Sequence, residues 1–255
     1  MLIIRKISFL KNSKILIFFF IFIFCNFTKI FAIDIRTIYS KEYHNALVLK
    51  DQFENQLKER GITDTNFYMA LVFPEMIRFN IIKNELETII NKIAYTTIDD
   101  YSGCSIGPFQ IKPSCALDIE RYVKQNETLN CKYPLLANIP DNDSFTEKFK
   151  RINRLQQNKF QIEYLLAFVD ICTIKYDLED LSVKEQLKVS SAAYNIGFLD
   201  NRDLYYDYLK IKSFPYGSNS SNSYWNYTTL VLDFYNQFSD QSLPPHKKEN
   251  TLVVP

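Results

Sequence analysis

Residues 160–177 place Phe160, Tyr164, Leu165, Phe168, Val169, Cys172 and Tyr176 at three- and four-residue steps. That spacing makes one stripe of an α-helix and cannot line one face of a strand. The same period recurs along the chain. Ile38, Ala46, Leu49, Phe53 and Leu57 predict a helix over 36–60, ended by Gly61. An apolar segment over 67–72 runs into Phe73-Pro74-Glu75. Proline disfavours helical geometry at the residue before it but suits a helix's first turn. A break at Phe73 and a new helix from about Glu75 to Ile93 are therefore expected. Residues 95–115 read as loop and turn, followed by a short helix over 114–125. Ser144-Phe145-Thr146-Glu147 and Ser182-Val183-Lys184-Glu185 have capping-box spacing and open two further helices. Helices are also expected near 202–212 and 224–238. Almost no segment alternates as a strand does, and scarce glycine (five in 255 residues) with abundant tyrosine and phenylalanine suits a helical domain with a large aromatic core. The fold class is mainly α.

The N-terminal 32 residues contain five basic side chains and no acidic one, with an unbroken apolar run over 15–25 and Ile30-Phe31-Ala32 at the end. A basic start, a short apolar core and a small terminal residue form the layout of a secretory signal. Eleven apolar residues fall short of the roughly 20 that span a bilayer, although a retained N-terminal anchor is the alternative. The expected location is exported, periplasmic or extracellular. Cleavage after Ala32 leaves 25 basic against 29 acidic residues, a net charge of −4. A mildly acidic protein has no electrostatic attraction to nucleic acid or to an anionic membrane, so neither is expected as a partner once the signal is gone.

Cys104, Cys115, Cys131 and Cys172 remain. An even count in an oxidising compartment suggests two disulfides, in any of three pairings. No C-x-x-C pair occurs, and His44 and His246 are the only histidines. A zinc site and a histidine-activated nucleophile are therefore not expected, and no cofactor is implied.

Three pieces carry chemistry in order. Glu75 follows an apolar helix. A turn then reads Gly107-Pro108-Phe109-Gln110-Ile111-Lys112-Pro113, and a helix end reads Ala193-Tyr194-Asn195-Ile196-Gly197. Over residues 67–197 this order resembles the lytic transglycosylases of the lysozyme-like superfamily, which place a catalytic glutamate at an apolar helix end. In that family a Gly-x-Met-Gln-x-x-Pro turn and later an Ala-Tyr-Asn-x-Gly segment follow. The resemblance implies a lysozyme-like helical domain over 33–212 with extra N- and C-terminal helices. A polar linker and a C-terminal helix over 213–238 and an unstructured tail over 239–255 would follow. It implies peptidoglycan glycan strands as the partner, Glu75 as catalytic acid and base, and Ser102, Ser105, Gln110, Tyr194 and Asn195 as substrate-binding residues.

A carboxyl flanked by Phe73, Met76 and Phe79 is partly desolvated, which favours the protonated form that a general acid needs. The resemblance then implies cleavage of the bond between N-acetylmuramic acid and N-acetylglucosamine to a 1,6-anhydro product, a route needing one carboxylate. Hydrolysis, as in a lysozyme-type muramidase, would normally use a second carboxylate. Asp99 and Asp100 are candidates, although aspartate is also common in turns. Met76 stands where the family usually has serine, and Cys104-Ser105 where it has Gly-Ala. The spacing from Glu75 to the turn is longer than in the family, so residues 76–101 would include an inserted stretch. Glu85 and Glu87 lie closer to the turn, but in a polar helix interior that reads as solvated surface. A non-catalytic glycan-binding protein on the same fold is the remaining alternative. Arg78, one turn beyond Glu75, is placed to orient it, although it reads first as a surface arginine.

Overall fold

The computed structural model describes residues 34–81 and 105–242. The signal segment, the extension of the second helix to residue 93, and Glu85, Glu87, Asp99, Asp100, Ser102 and Cys104 lie outside the described residues, as does the tail beyond residue 242. The chain divides after Ser40. Before that division lies α1 (Ile35–Ile38), whose N-cap Asp34 accepts a hydrogen bond from the Arg36 amide at 2.9 Å.

After the division the chain is mainly helical. It continues through α2 (Ser40–Glu59), α3 (Thr65–Ile81), α4 (Pro113–Gln125), α5 (Glu127–Lys132), α6 (Pro134–Ala137) and α7 (Phe145–Leu155). Then come α8 (Asn158–Lys175), α9 (Val183–Ile196), a 3-10 helix (Arg202–Lys210), β1 (Lys212–Phe214), β2 (Trp225–Asn226) and α10 (Tyr227–Ser242). Among the described residues no helix is long and apolar enough to cross a membrane.

The stripe that predicts α8 is buried on most of its circumference, with Tyr164, Leu165, Phe168, Ile171 and Cys172 inside. Both expected caps form. Ser144 Oγ accepts from the Glu147 amide and Ser182 Oγ from the Glu185 amide, each at 3.3 Å, giving α7 and α9 a partner for one free N-terminal N–H.

The expected break at Phe73 does not occur, and α3 carries Pro74 in its interior. Proline removes one backbone donor and crowds the preceding turn. The Tyr227 hydroxyl, from α10, donates to the Leu71 carbonyl in that turn at 3.0 Å. The helix is also held by rings: Phe73 meets Phe234 at 4.6 Å and Phe238 at 5.1 Å, both edge to face. Such pairs add about 0.5–1.5 kcal/mol each beyond the area they bury.

The expected polar linker is not a linker. Residues 212–226 form an antiparallel hairpin, with Lys212 opposite Asn226 and Phe214 opposite Trp225. Phe214 is 1% exposed and anchors it, while Ser223 Oγ bonds within the loop to the Tyr216 amide and the Gly217 carbonyl. The expected helix over 202–212 is a 3-10 helix that stops at Lys210. The expected pair of disulfides is also absent, because Cys115, Cys131 and Cys172 are all free thiols. Cys131 is exposed on α5 whereas Cys172 is wholly buried on α8, so the two sit in different environments.

A buried polar node joins α4, α7 and α8. Arg151 is fully buried, and its guanidinium bonds Glu120 at 3.0–3.3 Å and Asp143 at 3.1 Å. Arg154 and the Tyr164 hydroxyl both donate to Glu120 Oε1. An isolated buried charge is costly, and here both Glu120 oxygens find donors.

Candidate active site

The turn over 105–111 is built first by backbone pairing. Ile106 and Ile111 exchange both hydrogen bonds, at 3.0 and 3.2 Å. Gly107 has φ +75°, and Gln110 adopts φ +50°, a conformation uncommon outside glycine. Gln110 Nε2 closes back on the Gly107 carbonyl at 2.8 Å. The turn is held from below by Gln161, a fully buried residue of α8. Its Oε1 accepts from the Phe109 amide at 3.0 Å, and its Nε2 donates to the carbonyls of Ile106 and Leu155. From the other side the Tyr194 hydroxyl donates to the Phe109 carbonyl at 2.8 Å. An added Cβ at Gly107 would stand 2.5 Å from Gln161 Nε2 and 2.7 Å from the Leu155 carbonyl oxygen. Gly107→Ala is therefore expected to cost about 2–4 kcal/mol of stability, from the left-handed backbone and the overlap together. Denaturant unfolding measures it, and a loss below about 0.5 kcal/mol, the size of an ordinary surface change, would show that the turn yields.

This turn, the middle of α3, the start of α4, the end of α9 and the hairpin enclose a cavity of about 580 Å³. Five of the expected site residues line it: Glu75, Ser105, Gln110, Tyr194 and Asn195. Ser102 lies outside the described residues. Glu75 is only 4% exposed and sits past the proline on α3. Burial raises its carboxyl pKa, against the opposing pull of the Arg78 and Lys112 charges. The contact to Arg78 is long, 3.5 Å from Nη1 to Glu75 Oε2, so it weakly favours ionisation. Tyr194 lies edge on to Phe168 at 5.1 Å, and burial together with the Glu75 charge holds its phenol well above the usual range. Its hydroxyl is already used as a donor to the turn, which makes Tyr194 a part of the wall. Asn195 Nδ2 donates to Ser213 Oγ at 3.1 Å and so ties the α9 end to the hairpin. Gly197 follows at φ +97°, its amide bonded to the Ala193 carbonyl, as a helix C-cap.

Several further residues line the cavity beside the expected ones. Arg78 is not a free surface arginine, because its side chain is 27% exposed and turned to Glu75. Lys112 and Asp118, both exposed, stand on the turn and the first part of α4. Desolvation raises the Asp118 carboxyl, with Arg121 opposing. Tyr208, Ile211 and Ser213 supply the far wall from the 3-10 helix and the hairpin. Tyr208 and Ile211 fall in the helix expected over 202–212 and Ser213 in the expected polar linker, and neither reading marks them as lining a site.

Chemically, the cavity offers a carboxyl biased toward its protonated form, amide and hydroxyl groups from Gln110, Asn195 and Ser105, and apolar surface from Tyr208 and Ile211. That combination suits a polar ligand with hydrophobic faces, such as a sugar ring. Among the described residues no group of three or more His, Cys, Asp or Glu side chains is placed to hold a metal ion. No family model, curated protein or solved structure compared with this chain matches it.

Proposed function

We propose that this protein is a peptidoglycan lytic transglycosylase with a lysozyme-like catalytic domain, acting outside the cytoplasm on the bond between N-acetylmuramic acid and N-acetylglucosamine. The observation that carries the proposal is Glu75: a buried carboxyl with a raised pKa, opening on a cavity whose wall is the Gln110 turn and the Tyr194-Asn195 helix end. The Glu75 acid gives its proton to the glycosidic oxygen as the bond from that oxygen to the muramyl C1 breaks. The resulting carboxylate takes the proton of the muramyl C6 hydroxyl, whose oxygen closes on C1. Glu75 is protonated again, the product carries a 1,6-anhydro ring, and no water is consumed. Gln110 and Asn195 hold the sugar by hydrogen bonds, and Tyr208 offers a ring face to pack against it.

Asp118 favours a second reading. It is a carboxylate lining the same cavity, and a second carboxylate is what a hydrolase uses to activate water or stabilise the developing cation. The two readings separate in ¹⁸O-labelled water with a defined muramyl oligosaccharide. Transglycosylation yields an anhydro end with no label, and Asp118→Asn retains most of the activity. One ¹⁸O at each new reducing end, lost together with turnover in Asp118→Asn, would establish the hydrolase instead.

A further inference from the structure

The wall beside Glu75 is cationic, and the transglycosylase chemistry makes no use of that. Arg78 lies one helical turn from Glu75 on α3, and Lys112 reaches the same cavity from the turn. Both charges act on Glu75. Among the described residues no carboxylate forms an ion pair with Lys112, and Glu75 is the one carboxylate paired with Arg78. When Glu75 holds the proton that a general acid needs, that pairing disappears and two positive charges remain on this wall, with Asp118 as the other carboxylate lining the cavity. Lys112 is also the N-cap residue of α4, and its side chain does not cap the helix. The positive end of the helix therefore adds to the same field. Asp118, farther along α4, interacts electrostatically with Arg121.

We propose that Arg78 and Lys112 form a subsite for a carboxylate carried by the sugar at the scissile bond, so that the preferred substrate is a glycan strand whose muramyl lactyl group is free. This rests on the glycan-cleaving reading of the same cavity. The lactyl ether hangs from the sugar whose glycosidic bond Glu75 protonates, and Arg78 stands one helical turn from that acid. In a strand still bearing its stem peptide that carboxyl is a neutral amide and offers no charge. An amidase that releases the stem peptide from the lactyl group must then act before this enzyme. A carboxylate within the stem peptide is the other source of the same chemistry, and it would sit farther from C1.

The test is equilibrium binding to the full chain carrying Glu75→Gln, which mimics the protonated acid and prevents turnover. Three ligands are compared: a peptide-free muramyl oligosaccharide, the same strand with its lactyl carboxyl converted to the methylamide, and the peptide-bearing strand. The peptide-free strand is expected to bind best. Adding Lys112→Gln should weaken it about five-fold, more at low salt, while leaving the methylamide within about two-fold. Lys112 is exposed, so its replacement does not threaten the fold. Equal binding of acid and methylamide would overturn the proposal, as would a Lys112 dependence confined to the peptide-bearing strand. Absence of turnover in the wild-type chain, with Lys112-dependent binding intact, would remove the transglycosylase reading and leave the subsite standing.

Discussion

Glu75→Gln is expected to lower the rate of glycan cleavage by about 10³-fold or more, because a single group serves as both acid and base in the proposed reaction. Glutamine keeps the size and hydrogen-bonding capacity of a protonated glutamate but cannot release a proton. The variant is expected to fold. Glu75 is almost fully buried, and its folded-state pKa is raised, so the folded state holds a proton that the unfolded chain gives up sooner. Its stabilising contribution is complete below the unfolded pKa and is lost as pH rises through the folded one. Glutamine does not titrate, so the stability of Glu75→Gln relative to wild type should improve as pH rises across that window. The same sign fixes the activity profile. The acid form is populated below the raised pKa, and turnover should fall as pH rises through it. A rate that climbs steadily across that range would mean that Glu75 does not act as the acid.

Arg151→Met is expected to cost about 3–5 kcal/mol, the typical penalty for removing one partner from a buried ion pair. Arg151 is fully buried and holds Glu120 and Asp143, and its loss leaves Glu120 on α4 with Arg154 and the Tyr164 hydroxyl as remaining donors. The cost comes mostly from that buried carboxylate, and this is separately testable. Adding Glu120→Gln removes the stranded charge, so the double variant should recover part of the loss, a positive coupling in a double-mutant cycle. Urea unfolding of the four proteins measures it. An Arg151→Met midpoint equal to wild type would show that the node contributes nothing. None of the node's residues lines the cavity, so glycan cleavage per folded molecule should be little changed.

How far the sequence could be read depends on whether the deciding contact was local. The α8 stripe and the serine caps at Ser144 and Ser182 were legible because helix period and capping act within one or two turns. The order of Glu75, the Gln110 turn and the Tyr194-Asn195 end was legible too, and the fold brings these onto one cavity. The continuation of α3 through Pro74 was not, because it is accompanied by a bond to the Leu71 carbonyl from a hydroxyl 156 residues beyond Leu71, at Tyr227. The hairpin over 212–226 was missed because serine, asparagine and glycine read as an open connection. What closes it is Phe214 in the core and a serine hydroxyl bonding within the loop. Gln161 left only a faint trace, one polar residue inside an apolar stripe, although it bonds three backbone groups around the turn. Lys112 and Asp118 look like ordinary charges in sequence, and only their place on the cavity that Glu75 also lines gives them a role. An even number of cysteines suggested bridges, but pairing is decided by three-dimensional proximity and geometry, which count alone does not contain.

In the proposed reaction Glu75 drives cleavage of peptidoglycan strands without water. Mass spectrometry of the soluble fragments released from isolated cell walls tests it most directly, with wild type and Glu75→Gln in parallel. Wild type is expected to release fragments with 1,6-anhydromuramyl ends, and the variant almost none. Fragments released equally by both proteins, or none from either, would contradict it.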